Sequence, residues 1–425
     1  MARAPFHEKV SFDLTNELQI VSTPQPVGEK QRIVSIDVLR GFAVLGILPV
    51  NIQTFSMISV ARLNPTTYGS LTGASYWIWL LCHLLADEKF MTIFSMLFGA
   101  GILLMTSRIE AAGKCSVGPH YRRMGWLILF GLVHAYLLWS GDVLVAYGLC
   151  GLLVYFCRRL SPRTLLKLAL LLIAIGSVSF LSYSPWGGHL YRIEAEIARQ
   201  STWMPHPTYP ADEISAYRGN WITQMSVRVP NSIDAETFSF VLFIFWRATG
   251  LMLAGMALMK LGVFSVNRKV TRYWMMIGVA VCVGIPVTLY GVRSEIAANW
   301  DSLYSDSFGI QFNYWASLAV SLGWVGAMMF ASRAAILYPF TSRLAAVGRM
   351  AFTNYIVQTL ICTTIFYGHG LGLFGRVDRV GQFTIVVAIW MLQLVVSPVW
   401  LKCFFFGPVE WMWRSRTYLQ WEPFL

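Results

Sequence analysis

The residues with the most chemical potential sit inside apolar runs, where an ionisable group costs at least ~2.5–3.5 kcal/mol at a bilayer centre and is normally turned to a bundle interior. In IDVLRGFAVLGILPVNI, Asp37 and Arg40 are three residues apart and share a helix face. Asn51 follows Arg40 by eleven residues, which is three turns, so it returns to nearly the same face roughly 16 Å further along the axis. The spacing predicts one polar stripe from the inner mouth to the outer half of the membrane. The competing reading is an interfacial ion pair plus an asparagine that binds helices together. In RRMGWLILFGLVHAYLLWSGDVLVAYG, His134 precedes the Ser140-Gly141 turn and Asp142 follows it. A carboxylate on an imidazole fixes the tautomer and raises basicity, as a general base requires. A lone histidine is more often a satisfied structural residue.

Further polar groups lie on other runs. Asp87-Glu88-Lys89 opens FMTIFSMLFGAG, whose Gly99 and Gly101 suit close helix contact. Arg247 opens another run, either to bind an anionic group or to snorkel. Asn354 and Gln358 share a face in GRMAFTNYIVQTL. Glu88, Lys89, Arg247, Asn354 and Gln358 are the candidate substrate-binding residues. Each also has a plainer role, as an interfacial charge or as helix glue.

The elements that must carry these groups are helices. The chain has 425 residues, 56% hydrophobic and 13% charged, with a mean hydropathy of +0.56. Soluble domains carry about a quarter charged residues. Spans of about 20 apolar residues fall near 34–56, 88–106, 124–140, 142–158, 165–183, 238–259, 273–291, 313–331, 350–368 and 381–401. The expected fold is all-α, a polytopic bundle of about ten transmembrane helices. Residues 75–86 form an eleventh apolar stretch, read as an interfacial or re-entrant helix, with a true span as the alternative. Residues 1–32 read as a polar cytoplasmic tail without a cleavable signal. Residues 33–401 make the bundle, and 402–425 an interfacial cytoplasmic segment. The hydrophilic stretch 184–237 reads as an ordered outer lid containing Trp186, Trp203, Trp221, His189 and His206.

The net charge of +12 is distributed for orientation, which removes the case for nucleic acid. Basic clusters at Arg108–Arg123, Arg158–Lys167, Lys260–Arg272, Arg333–Arg349 and Lys402–Arg416 fall on one side of a ten-span arrangement. Both termini are then cytoplasmic. The seven cysteines form no CxxC pair and suggest neither disulfides nor a metal site. The absence of Walker, GxSxG, HExxH and GxGxxG patterns argues against an ATP-driven pump and the common soluble catalytic plans.

Five blocks in order, namely the first span, DEKFMTIFSMLFGAG, the His134–Asp142 run, GRMAFTNYIVQTL and FGPVEWMWR, resemble the YeiB family of bacterial inner-membrane proteins. The first span is also similar to that of the wider transmembrane acyltransferase superfamily. That resemblance implies a ten-helix bundle and transfer of an acyl group from cytoplasmic acyl-CoA to an acceptor, often a glycan or other small molecule, on the outer side. Acetyl-CoA or another acyl-CoA would be a cosubstrate, with no tightly bound cofactor. Acyltransferases of this group carry a histidine eleven residues after the first-span arginine, where this chain has Asn51. The heparan-glucosaminide type has one another eleven on, where this chain has Arg62. The catalytic expectation therefore moves to His134 with Asp142, and Asn51 as an oxyanion donor, with His83 as the second candidate base. Arg40, Asp37, Arg122 and Arg123 would face the CoA phosphates, although topology alone explains the loop arginines. The alternatives are a secondary transporter or lipid-handling protein, and a non-catalytic membrane scaffold. The partners are the lipid bilayer and the acceptor, and a homodimer stays open.

Overall fold

The computed structural model describes residues 33–190, Trp203, 208–266, 268–421 and 423–424, with no side-chain description for 183–190 and 208–210. The expected tail at 1–32, His206 and the side chains of Trp186 and His189 lie outside the described residues. Among the described residues the regular structure is entirely helical.

Each of the ten apolar runs is helical. The first is α1 (Val34–Ser56). The 75–86 stretch is α2 (Gly73–Leu85), which leads into α3 (Lys89–Ala111) through a break at Ala86-Asp87-Glu88. Next come α4 (Val117–Val133), which widens into a turn over His134–Leu138, and α5 (Leu144–Val154). α6 (Pro162–Leu190) precedes two helices of the hydrophilic segment, α7 (Thr208–Arg218) and α8 (Trp221–Glu236). The remainder are α9 (Phe245–Lys260), α10 (Val270–Val279), α11 (Ile285–Ala297), α12 (Ile310–Ala331), α13 (Tyr338–Arg349), α14 (Ala351–Phe366), α15 (Arg379–Cys403) and α16 (Pro408–Tyr418).

Among the described residues, seven helical stretches are long and apolar enough to cross a bilayer: Val34–Ser56, Gly73–Ala111, Pro162–Ser182, Trp221–Lys260, Val270–Ala297, Ser302–Ala331 and Arg379–Cys403. This is fewer than the ten spans expected. α5 has 11 residues and α14 has 16, or about 16 and 24 Å at 1.5 Å per residue. Both are shorter than the ~30 Å hydrocarbon core. α4 carries Arg122 and Arg123 in its N-terminal half.

Glycines set the closest packing. A Cβ on Gly99 of α3 would collide with the carbonyl oxygen of Met252 on α9, and one on Gly255 with that of Met96. The two helices therefore touch backbone to backbone, which only glycine allows. Gly101 meets nothing nearby, so of the two glycines singled out in the sequence only Gly99 makes the contact. Gly41 and Gly348 seat α1 on α13 in the same reciprocal way, against Leu344 and Asp37.

Candidate functional site

The wide turn after α4 aims His134 inward. Trp139 N–H bonds the His134 carbonyl at 2.9 Å, one residue beyond α-helical spacing, a form often found at functional positions. The imidazole is 1% exposed. Its Nδ1 lies 2.9 Å from Asp142 Oδ1, and its Nε2 lies 2.9 Å from Thr359 Oγ1 on α14. Asp142 Oδ2 also accepts the Val145 N–H at 2.8 Å, so the carboxylate is fixed at the mouth of α5. An ionised Asp142 accepts, so Nδ1 carries the proton and the Nε2 lone pair faces the Thr359 hydroxyl. The Thr359 Oγ1 contact with Tyr355 O is longer, at 3.4 Å, which leaves its proton directed at Nε2. Asp142, His134 and Thr359 thus place a carboxylate, an imidazole and a hydroxyl in line. The Tyr355 and Trp139 rings border the imidazole at centroid distances of 5.1 and 6.2 Å. A crevice beside Asp142 is lined by Ser140, Val145, Ala146, Glu236, Phe240 and Ile244.

A second cluster forms at the α2–α3 break. Glu88 has φ 65°, a left-handed conformation costly for a residue with a Cβ. The break directs Glu88 to Arg247 (Oε2 to Nε 3.2 Å) and to Arg62 (3.8 Å). Arg247 also donates to Ser317 Oγ at 2.7 Å and Tyr314 O at 3.1 Å, and lies 4.0 Å over the Tyr314 ring. Lys89 is fully buried and donates to His83 O at 2.6 Å and to Asn313 Oδ1. Asn313 Nδ2 in turn donates to Asp87 Oδ2 at 3.0 Å, and His83 Nδ1 lies 3.1 Å from that oxygen. His83, the second candidate base, therefore belongs to this cluster.

The remaining expected residues are dispersed. Asp37 and Arg40 pair at 2.9 Å, partly exposed at one end of α1. Asn51 is half-buried near the other end, and none of the described residues hydrogen-bonds its side chain. Asn354 and Gln358 are buried and serve helix contacts. Asn354 Nδ2 donates to Val347 O and Ser397 Oγ at 3.1 Å each, and Gln358 Nε2 to Gln393 Oε1 at 2.9 Å and Val44 O at 3.3 Å. Arg122 Nε donates to Thr417 O on α16 at 2.9 Å, and Arg123 stacks 4.1 Å over Trp413. Arg123 also lies within electrostatic reach of Arg40 and Arg414, which gathers positive charge at one mouth.

Sequence reading missed three groups. Thr359 lies one residue past Gln358 and needed only the helix register to be connected with His134. Asn313 is a lone amide in an apolar run, the class of residue already singled out in α14. Arg228 lies in the outer segment, where its burial leaves no trace in composition.

Long apolar helices with ionised and amide side chains turned inward define a helical membrane protein with a buried polar interior. Across most of its length the chain is similar to uncharacterized bacterial proteins. It is 32% identical over 399 residues to the uncharacterized protein YeiB of Escherichia coli (strain K12), covering 91% of this chain and 96% of that one. It is 32% identical over 422 residues to the uncharacterized protein YxaH of Bacillus subtilis (strain 168), covering 95% and 98%. An uncharacterized 39.9 kDa protein from the amylase 3' region of Bacillus acidopullulyticus is 26% identical over 408 residues, covering 94% and 98%. The family described as "Protein of unknown function (DUF418)" matches residues 258–420. The chain belongs to the YeiB family.

Proposed function

We propose that the protein is a membrane-embedded acyltransferase of the bacterial inner membrane, within the transmembrane acyltransferase superfamily. It would move an acyl group from cytoplasmic acyl-CoA to an acceptor on the outer side. The observation that carries this reading is the in-line arrangement of Asp142, His134 and a hydroxyl, with the Nε2 lone pair already facing an O–H at 2.9 Å. An acceptor hydroxyl or amine taking the place of Thr359 Oγ1 is deprotonated by Nε2 as it attacks the thioester carbonyl. Asp142 stabilises the imidazolium, which then protonates the departing CoA thiolate. Asn51 would supply the amide for the developing oxyanion. In this reading ten helices cross, with α4, α5 and α14 as short crossings enclosed by longer neighbours. Both termini are cytoplasmic, and CoA phosphates enter at Arg40, Arg122, Arg123 and Arg414.

The test is CoA release from labelled acetyl-CoA by the purified protein in lipid nanodiscs supplied with membrane extract as acceptor. Wild type should turn over, and His134→Ala should not while remaining folded. Full turnover in His134→Ala, or no CoA binding by wild type, sinks the reading.

One observation favours secondary transport instead. Lys89 is fully buried in a hydrogen-bonded cage at a helix break beside Glu88 and Arg247, and interrupted helices with buried charges mark many transport sites. Substrate-dependent proton flux in proteoliposomes, abolished by Lys89→Met, would select that reading.

A further inference from the structure

Arg228 is the largest fully buried side chain among the described residues, at 1% exposed. It sits on α8, which lies across the wide turn that carries His134. Nη1 donates to Leu137 O at 2.9 Å, and Nη2 to Gln224 Oε1 at 2.8 Å. Ser232, one turn further along α8, donates to Ala135 O at 3.1 Å. Arg228 is therefore fixed to the same turn as the proposed base, three residues from it.

Among the described residues, the guanidinium has no counter-ion. Its electrostatic neighbours are Tyr367 and Tyr217, not a carboxylate. Its Nε is buried and has no hydrogen-bond partner. The Tyr367 hydroxyl is equally buried and lies beside the Tyr217 phenol. The neighbouring His369 is bonded through Nδ1 to Gln224 Oε1 at 3.2 Å. Burial and the adjacent Arg228 hold its pKa below the ordinary histidine value, so it adds no charge of its own near neutral pH.

Arg247 and Arg158 are paired with Glu88 and Glu110. Arg379, like Arg228, is bound by neutral acceptors, the carbonyls of Ser70, Pro65 and Tyr68, and its Nε has no partner among the described residues. An unpaired buried cation costs several kcal/mol, and an unmade buried hydrogen bond about 1–3 kcal/mol more. A bound oxyanion would remove both costs, because guanidinium and phenol donors converge well on carboxylate or phosphate.

We propose that Arg228 and Tyr367 form an oxyanion-binding site, one turn outward of His134, that holds the phosphate or carboxylate of an acidic ligand. Under the acyl-transfer reading, on which this assignment of the ligand rests, that ligand is the acceptor. Its acidic group on Arg228 sets its hydroxyl or amine beside Nε2. The site itself does not depend on that reading. The anion is either free in the outer compartment or part of a lipid headgroup.

The experiment measures thermal unfolding of the full chain in nanodiscs with inorganic phosphate, with acetate, and with phosphatidylglycerol replacing phosphatidylcholine. Wild type should gain several degrees from at least one probe. Arg228→Gln should abolish the gain, and Tyr367→Phe should weaken probe affinity at least threefold. Stabilisation by soluble phosphate or acetate assigns a free anion; stabilisation by phosphatidylglycerol alone assigns a headgroup. No gain in wild type, or an equal gain in both variants, overturns the site. Should Arg228→Gln fail to fold, Tyr367→Phe decides alone. Anion binding without CoA turnover removes the acyl-transfer reading and keeps the site. Turnover with no anion effect removes the site and keeps the reaction.

Discussion

Glu88 Oε2 lies 3.2 Å from Arg247 Nε, and Glu88 reaches it from a left-handed backbone conformation, φ 65°. A non-glycine residue held there costs of order 1–3 kcal/mol and persists only where its surroundings fix it. The fixing contacts are Thr92 Oγ1 to Glu88 O at 2.7 Å and the two arginines on the carboxylate. Glu88→Gly should relieve strain yet lose the ion pair, whereas Glu88→Gln loses the pair and keeps the strain. The glycine variant should melt above the glutamine variant by about 1 kcal/mol. A double-mutant cycle with Arg247→Gln should give a coupling of about 1–3 kcal/mol, reduced by the part-exposure of Glu88. Additive effects would show that the pair contributes nothing.

The line Asp142–His134–Thr359 separates catalytic from structural roles. Asp142→Asn keeps an oxygen for the Val145 N–H and removes the charge that stabilises an imidazolium. CoA turnover should fall by roughly 10²–10⁴ with little change in stability. Thr359→Ser should retain turnover. Thr359→Val leaves Nε2 buried without a donor, at about 1–3 kcal/mol. If Asp142→Asn unfolds the protein instead, the carboxylate serves as a helix cap and not as the partner of a base.

The positions of the helices were legible because apolar run length reports directly on burial in lipid; α1 begins and ends where its run does. The count was not equally legible. A run of 16 or 17 residues can be a short crossing or a half-buried helix, and sequence cannot say which neighbours enclose it. The His134–Asp142 pair was readable because one turn separates its members, so chain distance bounds spatial distance. Thr359, Asn313 and Arg228 reach their partners across 225, 224 and 91 residues, contacts that only tertiary packing creates. Asn354 and Gln358 were correctly placed on one face, and their partners Ser397, Gln393 and the α1 backbone lie on other helices.

Backbone contact between α3 and α9 predicts an asymmetry between two nearby glycines. Gly99→Val places a side chain on the Met252 carbonyl and should push the helices apart. That should also break the Glu88–Arg247 pair these helices carry and cost more than about 3 kcal/mol. Gly101→Ala meets open space and should be neutral or stabilising by up to about 1 kcal/mol. Melting temperatures in one detergent compare the two, and equal losses would refute the reciprocal contact.

Glu410 gives the C-terminal FGPVEW block a structural task. Its Oε1 accepts the N–H of Phe352 at 2.7 Å and of Thr353 at 3.0 Å, so a carboxylate from α16 caps the first turn of α14. Glu410→Ala strands two buried N–H groups and should cost about 2–4 kcal/mol. Because α14 carries Thr359, turnover should drop with stability. Glu410→Gln retains an acceptor oxygen and should recover most of both. Equal loss in the two variants would mean that charge, not the cap, matters.

The outer segment makes a pH-dependent contact. Glu213 on α7 accepts from Ser59 N at 3.0 Å and Ser59 Oγ at 2.6 Å, which docks α7 at the end of α1. Burial raises the Glu213 pKa above its ordinary 4.5, and the Ser59 hydrogen bonds only partly oppose this. A carboxyl raised on docking favours the docked state in its neutral form. The contribution is therefore complete below the ordinary value and is lost as pH rises through the raised one. Amide exchange at residues 59–62, corrected for intrinsic rates, should accelerate across that window in wild type. Glu213→Gln keeps an acceptor and cannot ionise, so its exchange should be flat. Matching profiles for the two proteins would place the titrating group elsewhere.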